Sequence, residues 1–175
     1  MRFIKLFFLI LVISMPILSA GQQVTDVFEV ARKGTVSQAE AIVKTNPKAF
    51  NVINENGFSP LILACYRGNN EVAKFIIAQG VDINAKSDMG SALMACIVKG
   101  NNEIAQLLIT NKADLNITDN QGTTALMYAV QFKNIAIIKL LLANNANKDL
   151  KDNKGKTAFE YAVFSADEAI INLLK

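Results

Sequence analysis

The residues best suited to chemistry in this chain of 175 residues are two cysteines and fifteen acidic side chains, because histidine is absent. Without histidine there is no Ser-His-Asp or Cys-His nucleophilic system, and no zinc site with a histidine ligand. No side chain with an ordinary pKa titrates between about pH 5 and 8 either. The composition therefore excludes several classes of enzyme.

The two cysteines, Cys65 and Cys96, occupy similar segments of sequence, one position out of register. A disulfide needs Cα atoms within about 7 Å, whereas packed helices lie about 8–10 Å apart. We therefore expect two buried free thiols, and two cysteines without histidine do not predict a metal site.

The acidic residues at turns and helix surfaces are expected to be solvated, because no pair of them indicates a cleft that separates two pKa values for general acid–base catalysis. No glycine-rich phosphate loop follows a strand, since no strand pattern exists. We expect no enzyme activity and no cofactor. The acidic residues in question are Glu55, Glu71, Asp88, Glu103, Asp119 and Asp152.

Residues 1–20 differ from the rest of the chain. Arg2 and Lys5 precede an apolar run from Leu6 to Ile13, and small residues follow at Ser19-Ala20. This order is typical of a secretory signal peptide, and the run is short for a membrane span of about 20 residues. We expect cleavage after Ala20 or, alternatively, after Gly21, with an uncleaved membrane anchor as the other possibility. The mature chain is then periplasmic or secreted and free of the membrane.

Removal of residues 1–20 takes away two of the 18 basic residues and none of the 15 acidic ones, so the net charge falls from +3 to +1. A nearly neutral chain without a run of lysine or arginine gives no reason to expect nucleic-acid binding, which requires a basic patch. The high content of hydrophobic residues, 51%, favours a folded domain over a disordered chain.

A period of 33 residues runs through residues 24–175, as the intervals from Leu93 to Leu126 and from Leu126 to Phe159 illustrate. A glycine opens each of four units, followed by one apolar run and then a second. Such a unit predicts two short helices that become stable only against neighbouring units. Ser59, Thr124 and Thr157 are expected to cap the first helices. The opening glycines are Gly57, Gly90, Gly122 and Gly155.

This pattern resembles the ankyrin-repeat family, whose unit of about 33 residues consists of a turn and two helices. Gly57 to Leu61 is similar to the family's Gly-x-Thr-Pro-Leu opening, and Gly80 to Asn84 to its Gly-Ala-Asp-Val-Asn ending. The resemblance implies an all-α solenoid of stacked helix-turn-helix units with hairpin-like turns. It places about five repeats in the domain 21–175, at residues 24–56, 57–89, 90–121, 122–154 and 155–175.

The chain also departs from the family pattern. Where the family often has histidine, this sequence has Ile62, Met94, Met127 and Glu160, and we expect none of these to tighten a turn by hydrogen bonding. Lys133 and Ala166 replace glycine between helices, at a cost of about 1 kcal/mol each if their backbone is left-handed. The ending Asn145–Asp149 also matches the family's Gly-Ala-Asp-Val-Asn less closely. We therefore expect the C-terminal repeats to be less stable.

The resemblance implies a concave groove, made by turn tips and first helices, that binds a partner protein without catalysis. Aromatic side chains are favoured in such contacts, although some of the rings could instead fill gaps between helices, Tyr161 and Phe164 above all. We expect a monomer that binds another protein; the alternative is an accessory or inhibitor protein of a periplasmic enzyme. The predicted groove residues are Phe58, Tyr66, Arg67, Met89, Lys99, Tyr128, Gln131, Phe132, Tyr161 and Phe164, with Asp88 and Lys154 at the rim.

Overall fold

The computed structural model describes residues 26–175, which form ten short α-helices and one two-stranded hairpin. The signal peptide predicted for residues 1–20, with both of its cleavage points, lies outside the described residues. Among the helices of residues 26–175, none is long and apolar enough to cross a membrane.

The helices come in pairs, one pair for each repeat. The first helices pack side by side in one layer, the second helices form a second layer behind them, and the two layers make a solenoid. The predicted all-α solenoid is confirmed. The first helices are α1 (Val27–Lys33), α3 (Pro60–Arg67), α5 (Ala92–Val98), α7 (Ala125–Gln131) and α9 (Ala158–Phe164). The second helices are α2 (Val36–Thr45), α4 (Asn70–Ala78), α6 (Asn102–Thr110), α8 (Ile135–Ala143) and α10 (Glu168–Leu174).

The core lies between the two layers and between neighbouring repeats. Small residues in the first helices, among them Ala64, Ala129 and Ala162, are completely buried and let these helices approach closely. Larger side chains such as Leu126 and Leu141 fill the space toward the second layer. Each fully buried side chain of this size contributes about 1.5–3 kcal/mol, so the repeats depend on one another for their stability.

The two cysteines are buried free thiols, as predicted. Cys65 lies in α3 and Cys96 in α5, and neither side chain is exposed to solvent. A hydrogen bond with Cys96 is the main cause, and burial the second, of a pKa of the Cys65 thiol that lies well above its usual range. The reactive thiolate form is thus disfavoured in the folded protein.

The predicted N-caps are confirmed: Ser59, Thr124 and Thr157 each accept a hydrogen bond from a backbone N–H in the first turn of the helix that follows. The expectation that no residue at the histidine position forms such a bond is wrong. The Glu160 carboxylate accepts from the backbone N–H and from the hydroxyl of Thr157, and the Met127 sulfur accepts from the N–H of Thr124 at 3.4 Å. Both residues occupy the third helical position, from which a side chain reaches back to the cap.

A ladder of asparagine side chains links the ends of successive repeats. Each amide oxygen accepts a hydrogen bond from a backbone N–H of the next repeat, at 2.8 to 3.0 Å. The ending of the fourth repeat keeps this bond although it departs from the family pattern, because the donor is the backbone N–H of Asn147, which does not depend on the side chain. The acceptor and donor pairs are Asn51 with Asp82, Asn84 with Asp114, and Asn116 with Asn147.

The turns before α3, α5, α7 and α9 each form a tip, the part of the predicted hairpin-like turn that reaches furthest from the helices. In the tip before α5, strands β1 (Lys86–Ser87) and β2 (Gly90–Ser91) pair antiparallel. Adjacent tips are joined by backbone bonds, one from the N–H of Asn120 to the carbonyl of Asp88 at 3.1 Å and one from the N–H of Asn153 to the carbonyl of Gln121 at 2.8 Å. The tips before α5, α7 and α9 are therefore linked into a row along one edge of the first-helix layer.

Candidate functional site

A cleft of about 630 Å³ lies on the concave face, between the row of tips and the helices α3, α5 and α7. The first helices supply its floor, and the tips supply its outer wall with Asn54, Asn56 and Phe58 and with residues 88–89 and 119–121. Its lining is mostly apolar. Its lining includes the large apolar and aromatic residues Phe58, Ile62, Leu63, Tyr66, Met89, Met94, Tyr128 and Phe132.

The structure brings together six of the ten predicted groove residues in this cleft: Phe58, Tyr66, Arg67, Met89, Tyr128 and Phe132, along with the predicted rim residue Asp88. Lys99 stands at its edge, with its Nζ atom 4.6 Å from the centre of the Tyr66 ring. The other predicted residues do not line the cleft. These are Gln131 at the end of α7, Lys154 in the tip before α9, and Tyr161 and Phe164 in α9.

The exposed part of the cleft is apolar and aromatic. Phe132 is 53% exposed, Met89 60% and Tyr66 37%. The Tyr128 and Phe132 rings stack, with their centres 6.5 Å apart and their planes at 28°. Exposed apolar side chains that gather around a cavity are typical of interaction sites, whereas scattered ones are common on any protein surface.

Asp119 holds Tyr128 in place. Its carboxylate accepts hydrogen bonds from the backbone N–H groups of Gln121 at 2.8 Å and Thr123 at 2.9 Å, and from the Tyr128 hydroxyl at 2.7 Å. The expectation that Asp119 is solvated is wrong: it is 7% exposed, because its carboxylate closes the turn. Burial, together with the bond to Asp119, raises the pKa of Tyr128 to about 12.

The same arrangement recurs one repeat later, so the expectation of a solvated Asp152 is also wrong. Its carboxylate accepts from the N–H groups of Lys154 and Lys156 and from the Tyr161 hydroxyl. The Tyr161 bond, with the backbone donors, lowers the pKa of Asp152, and the same bond raises that of Tyr161 to about 12. A sequence signal for this arrangement exists, since each tyrosine follows its aspartate by nine residues.

Two further residues that sequence reasoning missed shape the earlier tips. The Asn54 side chain accepts from the N–H groups of Asn56 and Phe58 at 3.0 and 2.9 Å, and the Ser87 hydroxyl accepts from the N–H of Met89 and donates to the carbonyl of Gly90. Asparagine, serine and aspartate commonly form such local turns. In this way one short polar side chain in each tip directs Phe58 or Met89 toward the cleft.

A family model described as ankyrin repeats in three copies matches residues 27–119 and again residues 93–175. The chain belongs to the ankyrin-repeat family. The two overlapping matches together span residues 27–175. Ankyrin repeats are generally protein–protein interaction modules, and the family is typically non-catalytic.

In this ankyrin-repeat protein the charges around the cleft lie on opposite edges. Arg67, in the last turn of α3, and Lys99, just after α5, stand at the C-terminal ends of the first helices. Asp88 stands on the tip edge, which adjoins the N-terminal ends of the same helices. Residues 26–175 contain four ion pairs, and none involves Arg67, Lys99 or Asp88.

The charged groups do not assemble into a metal site. In the described part of the chain, no three histidine, cysteine, aspartate or glutamate side chains converge in a way that could hold a metal ion. What the ankyrin cleft offers chemically is apolar surface, side-chain amides on the tips and separated charges, a combination suited to recognition.

Proposed function

We propose that this ankyrin-repeat protein is a non-catalytic interaction module that binds a partner protein in the concave cleft. The observation that carries the proposal is the gathering of exposed Tyr66, Met89 and Phe132 side chains around one cavity. Aromatic residues are frequent energetic centres of protein interfaces because they bury a large area with few rotatable bonds.

Side chains of the cleft are held in position before any partner binds, and this supports the same proposal. The hydroxyl of Tyr128 is tied to Asp119 at 2.7 Å, and its ring stacks on Phe132. Lys99 lies over Tyr66. Side chains that are already positioned lose little freedom when a partner arrives, and this lowers the entropic cost of binding.

The proposed contact is centred on α3, α5 and α7. Lys99, at the edge, lies within its reach. Tyr161 and Phe164 would be contacted only by a partner that extends past the cleft into the last repeat, since they do not line it.

The experiment that tests this function begins with crosslinking in the native compartment and identification of the partner by mass spectrometry. Binding of that partner is then measured by calorimetry for Met89→Ala with Phe132→Ala. Neither side chain makes a hydrogen bond, and both are more than half exposed, so we expect loss of binding with a nearly unchanged melting temperature.

Phe164→Ala is the matched control, because Phe164 is 84% exposed and lies outside the cleft. It should keep full affinity. A partner whose binding survives the double substitution but is lost in Phe164→Ala would contradict the proposal. If the partner is an enzyme, its activity with and without this protein tells an inhibitor from a neutral scaffold.

We further propose that the chain is exported and cleaved after Ala20 or Gly21. The support is the order of basic, apolar and small residues in positions 1–20, which is that of a secretory signal. N-terminal sequencing of the protein from its native cells should begin at Gly21 or Gln22. Retention of Met1 would contradict it.

A further inference from the structure

The charge around the cleft is unbalanced once the groups with partners are set aside. Asp119 lines the cleft, but its carboxylate is occupied by two backbone N–H groups and the Tyr128 hydroxyl. Arg32 also lines it, and its guanidinium is paired with Glu29. Arg67 and Lys99 remain at the helix edge, and Asp88 at the tip edge, none of them in an ion pair of the described residues.

The two remaining cations flank an apolar surface. Lys99 lies 4.6 Å from the centre of the Tyr66 ring, and a contact of this type holds an ammonium group beside an aromatic face. Arg67 is the neighbour of Tyr66 in α3 and is exposed. An arginine guanidinium matches a carboxylate with two parallel hydrogen bonds. A carboxylate at this edge would therefore lie directly beside the aromatic floor of the cleft.

The opposite wall has the chemistry to bind a peptide backbone. Asn56, Asn120 and Gln121 line it from the tips, and each side-chain amide carries both donors and acceptors. The mature chain has a net charge of only about +1, and a polyanion such as nucleic acid would require a larger basic surface. An extended peptide with one or two carboxylates fits this combination best.

We propose that the cleft selects a linear peptide segment of its partner in which an acidic side chain accompanies an apolar one. The apolar side chain lies against Tyr66 and Phe132, and the carboxylate pairs with Arg67 and Lys99. Asp88 repels a carboxylate on the tip edge, so the peptide binds in one orientation. This inference rests on the proposed function, since it specifies what the same cleft binds.

The probe is a phage-displayed library of random linear peptides, selected on the purified chain. We expect enriched sequences to carry aspartate or glutamate beside an aromatic or aliphatic residue. Selection on Arg67→Glu with Lys99→Glu should instead enrich lysine or arginine at that position, because the edge charge is reversed. Both residues are exposed, so the variant should fold, which circular dichroism checks.

A matched control carries the same change of charge on the outer layer. Lys44→Glu with Lys139→Glu alters two exposed residues of the second helices α2 and α8, and the acidic preference should persist. An individual selected peptide, titrated by calorimetry, should bind the Arg67→Glu variant at least about tenfold more weakly than the original chain. It should also lose affinity when Met89 and Phe132 are replaced by alanine.

The results of these selections and titrations distinguish a failure of this inference from a failure of the proposed function. Peptides that need Met89 and Phe132 but show no acidic preference would overturn the inference and leave the proposed function standing. An acidic preference that survives reversal of the charges at Arg67 and Lys99 would likewise overturn the inference and leave the proposed function standing. A library without any cleft-dependent binder would overturn the inference as well, and the crosslinked partner would then decide the function by itself.

Discussion

The repeat at residues 122–154 and the one at residues 155–175 have the same pattern of residues, yet equivalent positions differ in burial. Leu126 and Val130 are 1% and 0% exposed, whereas Phe159 and Val163, each 33 residues later, are 36% and 51% exposed. Helix α9 covers α7, and within the described residues no helix covers the far side of α9. Burial in this fold therefore depends on the neighbouring repeat as well as on the residue.

Hydrogen bonds between a turn and the first helix that follows it behave differently. The Asp119 carboxylate accepts a hydrogen bond from the Tyr128 hydroxyl, and the Asp152 carboxylate accepts the equivalent bond from the Tyr161 hydroxyl. Only the first of these two pairs lines the cleft. The comparison teaches that turn chemistry is repeated locally, while packing and the cleft require several repeats. The predictions that follow each compare two positions 33 residues apart.

The largest difference is expected in the core. Leu126→Ala should lower the free energy of unfolding by about 3 kcal/mol, because a fully buried side chain leaves a cavity. Phe159→Ala should cost about 1 kcal/mol, since its ring is already partly in solvent. Urea unfolding followed by circular dichroism measures both, and equal losses would show that burial in the last repeat is as complete as in the one before.

The turn carboxylates should show no such asymmetry. Asp119→Ala and Asp152→Ala each strand two backbone N–H groups and a tyrosine hydroxyl, at a cost of about 2 kcal/mol in each case. Asp119→Asn is the control: its side-chain oxygen still accepts from the backbone, so it should lose clearly less. If only Asp119→Ala destabilises the protein, the turns are not the independent local units described above.

The two tyrosines should make stability depend on alkaline pH. Their folded pKa of about 12 lies above the value near 10 of an unfolded chain, so the neutral phenol is favoured by folding. The resulting stabilisation is complete below about pH 10 and is lost as the pH rises toward 12. Tyr128→Phe and Tyr161→Phe should each be less stable than the original chain at neutral pH and lose less stability between these values.

Denaturant unfolding of the original chain and both variants at pH values between about 9 and 12 measures this difference. Lysine side chains titrate in the same range in all three proteins, so only the difference between variants is informative. Parallel pH curves for the original chain and a variant would mean that the phenol in question is not favoured in its neutral form by the fold.

The smallest effect is expected at the turn between the two helices of a repeat. Lys133 and Ala166 have φ angles of 54° and 51°, in the left-handed region that favours glycine. Replacement of either residue by glycine should stabilise the protein by up to about 1 kcal/mol, because glycine adopts this backbone without strain. The melting temperature reports the gain, and Gly68→Ala, at a φ of 72°, should lower it.

Much of the fold was predictable because it depends on residues close together in the chain. The helix pairs follow from apolar runs, and Ser59, Thr124 and Thr157 cap their helices because a hydroxyl lies three residues before a free N–H. The burial of Asp119 and Asp152 does not follow from such local patterns, because an aspartate in a turn is usually exposed. Each carboxylate accepts from two backbone N–H groups of its own turn and from the hydroxyl of a tyrosine nine residues away, a pairing that a search for apolar periodicity does not detect.

The candidate site was predictable in its residue types and less so in its extent. Tyr128 and Tyr161 are equivalent in sequence, and both were predicted for one groove. The cleft ends at α7, the last of the three first helices that form its floor, so Tyr161 in α9 lies outside it. Which rings face one another depends on how the repeats stack, and that stacking is a sum of contacts between residues about 33 positions apart.

The sequence by itself determined the repeat, the helix pairs and their caps, and the two buried thiols, because each is specified within a single unit or by the pattern it repeats. Only the tertiary structure decided where the cleft begins and ends, which charges stay unpaired around it, and which equivalent positions are buried. The physical reason is that these properties arise between units. A side chain's exposure and its ion pairs depend on what the adjacent repeats place against it.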